Sequence, residues 1–322
     1  MGSEKSSVRI GFVSAIEADR RIAGVAAAAR AAREAAEGGA KRIALAFGQG
    51  TLSPATLTDI ERLRGDAIVE TARECGGPPG RYPLSSWDIV HRTGKPGDGL
   101  ISRRLNRPIS QRITWLVLHL RGVRPHHVTA FNALLALIIF PMLVLGGERG
   151  LIVGGLLFQA ASILDGVDGE MARATWRSSA AGATMDSIVD IATNLLFVSG
   201  LTINLALRDG DAIGWIGAWA VILSITGGLL LGLKARRAGK PVGFDQLKRR
   251  ERPRGFVSLV YWVVELLTGR DCFAFLFMLL ILLGLERTAL MIYAGVGTIW
   301  LPYVLASLFI VPRLTTGRGL KA

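Results

Sequence analysis

Between residues 165 and 190 the sequence reads DGVDGEMARATWRSSAAGATMDSIVD and holds four aspartates. Asp165 and Asp168 are three residues apart, and Asp186 and Asp190 are four apart, so each pair shares one face of a helix. A short turn around Thr175–Ser179 would join the two helices antiparallel and set the pairs opposite each other. The flanking helices are apolar, and four carboxylates converging in a membrane-embedded pocket repel one another. A hard divalent cation bound by oxygens resolves that conflict, with Mg2+ or Mn2+ the expected ion. Two such ions could fit, as in sites that clamp both oxygens of a phosphoryl displacement. Gly166 and Gly169 each cost a helix about 1 kcal/mol relative to Ala, which makes sense if a ligand approaches the backbone. Ala172 and Gly182 would widen the same cleft. Arg173, one turn beyond Gly169, could reach a phosphate with its planar fork. Close helix packing in membranes also uses small residues. Packing accounts for the glycines but not for the acids.

The elements that must hold such a site are apolar helices. The chain has 322 residues, 50% of them hydrophobic, and a mean hydropathy of +0.40. Its 38 Lys and Arg outnumber its 25 Asp and Glu, for a formal net charge of +13. This hydrophobicity excludes a disordered chain. The charges cluster between long uncharged runs, which points to a membrane rather than to nucleic acid. Two cysteines, Cys75 and Cys272, exclude a disulfide scaffold and a Cys-rich zinc module.

Six spans are expected: Val128–Gly146, Leu151–Met171, Ala181–Leu207, Ala212–Leu233, Cys272–Leu285 and Ala289–Val311. Each is near the ~20 residues a crossing needs, the fifth being short unless it borrows from Phe256–Leu267. A separate insertion of that segment would make seven, but it has only half the required length. Ahead of them, Arg103, Arg104, Arg107 and Arg112 interleave with Ile101, Leu105, Ile109, Ile113 and Leu116. This pattern predicts an amphipathic helix over Ile101–Leu120, lying in the interface. The loops GERG (147–150), LRDGD (207–211) and LERT (285–288) carry few positive charges, each offset by acids. Arg173 and Arg177, Lys234–Arg254 and Arg313–Lys321 are rich in Lys and Arg. The positive-inside bias places both termini in the cytoplasm, with the inner membrane expected if the source is bacterial. The run KRRERPR (248–254) reads as a solvated anchor near anionic lipid.

The first 98 residues differ. MGSEKSSVRIGFVS lacks the long apolar core of a signal peptide. Val8–Val13 and Lys41–Phe47 read as strands around a helix over Gly24–Gly38, with further helix over Thr56–Arg64 and Asp66–Cys75. The expected fold is therefore mainly α: a six-helix integral membrane bundle with an N-terminal interfacial helix (99–322), preceded by a small soluble α/β region (1–98).

The pattern Asp165-Gly166-x-Asp168-Gly169-x-x-Ala172-Arg173, eight residues, Gly182, three residues, Asp186, three residues, Asp190 resembles the signature of the CDP-alcohol phosphotransferase family at every fixed position. Asn106-Arg107-Pro108-Ile109-Ser110 and Pro125-x-x-Val128-Thr129 look like that family's interfacial helix and entry to the first span. The resemblance implies six spans, a homodimer and a cytoplasm-facing site. It implies that an acceptor alcohol attacks a CDP-alcohol at the phosphorus next to the CMP leaving group. Asp165, Asp168 and Asp186 would be the main metal ligands. Asp190 would be the general base, sharing in the metal. Gly166, Gly169, Ala172, Arg173 and Gly182 would form the CDP site. Lys95-Pro-Gly-Asp98-Gly99-Leu-Ile-Ser102-Arg103 resembles the junction in bifunctional enzymes that fuse an inositol-phosphate cytidylyltransferase to a CDP-inositol phosphotransferase. Ile22-Ala-Gly-Val-Ala, its following helix and Gly39-Ala-Lys-Arg-Ile look like the early part of that nucleotidyltransferase. The Gly-rich phosphate loop is missing, since the chain reads FVSAIEADRR from Phe12 to Arg21. The region is also shorter than a complete nucleotidyltransferase, so it is expected to have lost that activity.

Arg237, Arg270 and Arg313 sit at cytoplasmic span ends and could bind an acceptor phosphate, although positive-inside placement also predicts arginines there. His126 and His127 are adjacent and point different ways from a helix start, which argues against a metal pair. The competing class is a cation transporter, because intramembrane acids often mark ion paths. Its acids would reach the midplane and outer half of the spans, whereas here they stay near one side with glycines and Arg173. Membrane lipid, a CDP-alcohol such as CDP-diacylglycerol or a CDP-inositol-like donor, and an acceptor alcohol are the expected partners, with no nucleic acid.

Overall fold

The computed structural model describes residues 7–72, 82–95, 98–120, 122–238 and 270–309. Within them the chain forms two compact units. The first takes residues up to 95 together with 111–125 and 169–177; the second takes 96–110, 126–168 and the residues from 178 on.

The first unit is built on a parallel sheet in the order β1 (Ser7–Phe12), β4 (Arg42–Phe47), β5 (Ile68–Ala72). Ser7 lies opposite Arg42, and Arg42 opposite Ile68. Parallel neighbours need crossovers, and helices supply them. Helix α2 (Ala27–Glu37) buries Ala27, Ala28, Ala29 and Ala32, whose small side chains allow close packing, and it ends at Gly38. Helix α3 (Pro54–Leu63) starts with Pro54 in its first turn and with Ser53 accepting from the Thr56 N–H. Phe12, Ile43, Leu45, Phe47, Ile60 and Leu63 fill the core. A short helix α1 (Ala15–Asp19) and a hairpin of β2 (Arg21–Ile22) and β3 (Val25–Ala26) lie between β1 and α2. Ala23 and Gly24 at the hairpin tip both have positive φ, +45° and +79°, as its two-residue turn requires.

The helix expected over Asp66–Cys75 is instead β5 as far as Ala72, the remainder lying outside the described residues. Helix α3 stops at Leu63, Gly65 turns the chain with φ +58°, and the β-branched Ile68-Val69 then pairs with β4. Helical propensity lost to a free strand edge with suitable side chains. Helix α4 (Ser86–His91) follows, opened by a reciprocal cap between Ser85 and Asp88.

The second unit is helical. The helix expected over Ile101–Leu120 runs from Leu100 to Val117; a π-helical turn (Ser102–Asn106) widens it ahead of α5 (Arg107–Val117). Then come α6 (Pro125–Leu145), α7 (Gly147–Ala174), α8 (Ala180–Asp209), α9 (Asp211–Ala238), α10 (Arg270–Leu282) and α11 (Glu286–Phe309). Among the described residues, α6, α7, α8 and α9 are long and apolar enough to cross a membrane. Of the fifth expected span the described residues hold a 13-residue helix, α10, and of the sixth the 24-residue α11. Phe256–Leu267 and Lys248–Arg254 lie outside the described residues. The bundle core holds an aromatic run in which Phe158 stacks on Phe197 at 3.9 Å and Phe277 meets Phe197 edge-on at 5.2 Å.

Candidate active site

Helices α7 and α8 position the acids. Asp165 and Asp168 fall near the C-terminal end of α7, and Asp186 and Asp190 in the early turns of α8. Ser179 starts α8 by accepting from the Gly182 N–H at 3.0 Å, which places Gly182 in the first turn.

Asp165, Asp186 and Asp190 each offer a carboxylate oxygen, and these three lie within 4.8 Å of one another. All three residues are half-buried. Two unit charges at that separation repel by roughly 3 kcal/mol at an effective dielectric of 20. An all-oxygen, all-anionic donor set is what Mg2+ or Mn2+ prefers, and a divalent ion turns the repulsion into attraction. Asp168 stands apart from this triad. It is buried, and its carboxylate accepts a hydrogen bond from the Thr129 hydroxyl of α6.

The segment ahead of α6 packs directly on α7. Asn106 is buried; its carbonyl accepts from the Gln159 amide at 2.9 Å and its amide meets the Ser162 hydroxyl at 3.4 Å. Asp98 grips the Arg107 guanidinium in a two-pronged ion pair of 2.8 and 2.9 Å. A Cβ on Gly166 would lie 3.1 Å from Ser110 Oγ and 3.2 Å from Arg107 Nη1. The glycine therefore lets Arg107 and Ser110 reach the backbone of the motif. Similarly, a Cβ on Gly169 would lie 3.0 Å from Arg173 Nη1. Arg173 is half-buried, and its Nε donates to the Thr93 carbonyl at 2.7 Å. Ala172 precedes it in the last turn of α7.

Of the expected acceptor arginines, Arg237 lies in the last turn of α9, Arg270 opens α10, and Arg313 lies outside the described residues. Sequence resemblance singles out Asn106, Arg107, Thr129 and Asp98 but not their partners: Gln159 and Ser162 lie 53 and 56 residues from Asn106, and Asp168 lies 39 from Thr129, whereas the Asp98–Arg107 pair closes within nine residues.

Three carboxylates within 4.8 Å of one another, with glycines beside them, define an acidic site on two successive helices long and apolar enough to cross a membrane. A family model for CDP-alcohol phosphatidyltransferases matches residues 123–300, more than half of the chain, and the chain belongs to that family. It is similar to three proteins, each named "Bifunctional IPC transferase and DIPP synthase". That of Aquifex aeolicus is 38% identical over 122 residues, 38% of this chain and 27% of the relative. That of Thermococcus kodakarensis is 44% identical over 94 residues, 29% and 20%. That of Rubrobacter xylanophilus is 39% identical over 144 residues, 44% and 32%. The chain thus spans about a fifth to a third of the length of these relatives.

Proposed function

We propose that the chain transfers a substituted phosphate group from a CDP-alcohol to an acceptor alcohol and releases CMP. The observation that carries this reading is the triad of Asp165, Asp186 and Asp190 within the matched region. Asp165, Asp168, Asp186 and Asp190 would hold Mg2+ or Mn2+. When bound, such an ion supplies charge stabilisation for the phosphate oxygens. Asp190 takes the proton from the acceptor hydroxyl, because a neutral alcohol is a poor nucleophile. The new bond joins that oxygen to the phosphorus, the bond to the CMP oxygen breaks, and CMP leaves with the electron pair. Gly166 admits Arg107 and Ser110, and Gly169 admits the Arg173 guanidinium, beside the CDP site; Ala172 and Gly182 keep the cleft wide for the CDP group, and the Arg173 guanidinium orients its phosphates. Arg237, Arg270 and Arg313 are proposed for the acceptor.

The α/β region (1–98) is proposed as a shortened nucleotidyltransferase relative that no longer makes a CDP-alcohol, preceding a phosphotransferase domain (99–322). In open α/β sheets, ligands bind beyond the carboxyl ends of the strands. Here α1 follows β1 at that end. Its Ala15 and Ala18 are buried, Ala15 N–H donates to the Gln49 carbonyl at 3.0 Å, and Asp19 accepts from the Ser53 N–H at 2.9 Å. The remnant favours a soluble CDP-headgroup such as CDP-inositol as donor, with CDP-diacylglycerol the other choice. Six spans, an interfacial α5, cytoplasmic termini and site, and a homodimer complete the reading; the loop charges support the sidedness.

The test is CMP release by the purified protein in detergent with Mg2+ or Mn2+. CDP-diacylglycerol and CDP-inositol are supplied separately against a panel of acceptors. The expected result is CMP with one donor and none from Asp190→Asn. Equal release by the variant would overturn the assignment of Asp190, and no release with any pairing would overturn the reaction.

A further inference from the structure

Helix α7 does not end on a glycine. The Arg177 N–H donates to the Ala172 carbonyl at 2.8 Å and the Trp176 N–H to the Arg173 carbonyl at 3.4 Å. This is a Schellman-type close, which places one residue in the left-handed region. That residue is Trp176, with φ +50°. Glycine usually takes this position because a Cβ is disfavoured there. A strained residue of this kind persists only where its surroundings hold it.

Two arginines of the first unit supply the hold. Arg30, on α2, is 1% exposed. Its guanidinium donates to the carbonyls of Ile22 at 2.6 Å, Ala23 at 2.8 Å and Ala174 at 2.7 Å, and it lies 5.0 Å from the centre of the Trp176 ring. Arg62, on α3, donates to the Thr175 carbonyl at 3.1 Å and the Trp176 carbonyl at 3.4 Å. The carbonyls that the end of a helix leaves without intrahelical partners are thus met by cations, which the helix dipole also favours. Burial lowers the Arg30 pKa to about 10, with Tyr82, Glu34 and Asp59 opposing the shift, so the group is charged at neutral pH. Arg173 belongs to the same turn, and its own Nε bond to Thr93 lies within the same unit.

We propose that Arg30 and Arg62 are positioning residues for the donor half of the site, bracing the closing turn of α7 and with it Ala172 and Arg173. The inference rests on the proposed function for its kinetic consequence, and on the α7 turn alone for its structural one. It gives the α/β region a present use: the region no longer makes the donor but shapes the helix end that grips it.

The test uses the full chain with Arg30→Met, Arg30→Lys and Arg62→Met, and with Arg33→Met as control. Arg33 lies half-buried on the same helix, pairs with Glu37 at 2.8 Å and meets the Leu63 carbonyl at 3.4 Å, away from the α7 turn. The expected result is a donor KM raised about 10- to 100-fold by Arg30→Met, the size of effect a small misplacement produces. Arg62→Met raises it by about fivefold. Arg30→Lys falls between wild type and Arg30→Met, because one ammonium replaces only part of the fork. Acceptor KM and the Arg33→Met variant stay at wild-type values. Hydrogen exchange at residues 172–177 is the second readout and speeds up in Arg30→Met and Arg62→Met. If Arg30→Met does not fold, Arg62→Met decides by both readouts. Lowered thermal stability with unchanged donor KM and unchanged exchange at 172–177 overturns the brace. An inactive wild type overturns the reaction instead, and the exchange measurement then decides the brace by itself.

Discussion

At the carboxyl ends of β1 and β4, the place where an open α/β sheet ordinarily takes a ligand, α1 lays down two buried alanines, its Ala15 N–H donates to the Gln49 carbonyl, and its Asp19 carboxylate accepts from the Ser53 N–H. At the facing ends of α7 and α8, the chain keeps three carboxylates within 4.8 Å and glycines whose Cβ positions are already crowded. The first place is comfortable and the second is costly. Packed alanines and satisfied N–H groups need no ligand to explain them. Clustered like charges and helical glycines destabilise the free protein, and they make sense where a cation and a substrate offset the cost.

The sharpest way to break this contrast is to neutralise the acids. Asp190→Asn should lower kcat for CMP release by roughly 10²- to 10⁴-fold, the range for loss of a general base, and should also weaken Mn2+ binding, because Asp190 belongs to the carboxylate triad; saturating Mn2+ should not restore kcat. Asp186→Asn should instead raise the metal concentration needed for half-maximal activity and weaken the Mn2+ signal in paramagnetic resonance. Chelation with EDTA should abolish CMP release, and added Mg2+ or Mn2+ should restore it. Activity that survives chelation would remove the metal from the reading. On the other side of the comparison, CTP with inositol phosphate should yield no CDP-alcohol. Formation of one would show that α1 does not close the sheet end.

A smaller effect is expected at Gly166. Alanine there brings a Cβ to 3.2 Å from Arg107 Nη1, and Arg107 is pinned by its two bonds to Asp98. The expected loss is about three- to tenfold in kcat/KM for the donor. In an Asp98→Asn background the fork can swing away, so the same substitution should cost less. A double-mutant cycle reads that difference, and strict additivity would show that the crowding at Gly166 does not act through Arg107.

Local spacing explains which parts were legible. The acids lie three and four residues apart on two neighbouring helices, so their convergence is written within 26 residues of sequence. The alanine helix, its closing glycines, the flanking strands and the long apolar runs are equally local. Strand β5 was not legible because its conformation is set by pairing with β4 rather than by its own periodicity. The amphipathic helix is continuous as its pattern reads, but its π-helical widening at Ser102–Asn106 was not legible; a buried Asn106 bonded to Gln159 and Ser162 accompanies it. The brace on α7 joins Arg30 to Ala174 across 144 residues, and the Thr129–Asp168 bond crosses 39. No motif spacing encodes contacts of that reach.

The smallest predicted effect tests whether the α/β unit can be weakened without touching the chemistry. Ser85 caps the six-residue helix α4: its hydroxyl accepts from the Asp88 N–H at 3.2 Å and donates to the Asp88 carboxylate at 2.7 Å. The next residue, Ser86, accepts from the Ala23 N–H at 2.9 Å, tying α4 to the hairpin tip. Hydrogen bonds from Ser85 hold the Asp88 carboxyl below its ordinary pKa. A depressed carboxylate stabilises the fold above its unfolded pKa, and that contribution is lost as pH falls through its folded value. Ser85→Ala should therefore lower Tm by about 4 °C at neutral pH, the scale of one lost cap in a small unit. It should also flatten the acid limb of the stability profile. The effects of Arg30→Met and Ser85→Ala then separate stability from positioning: the first moves donor KM, and the second moves Tm alone. A donor KM that rose with Ser85→Ala in step with its loss of Tm would mean that any loosening of the α/β unit reaches the donor site, and that Arg30 has no special place in it.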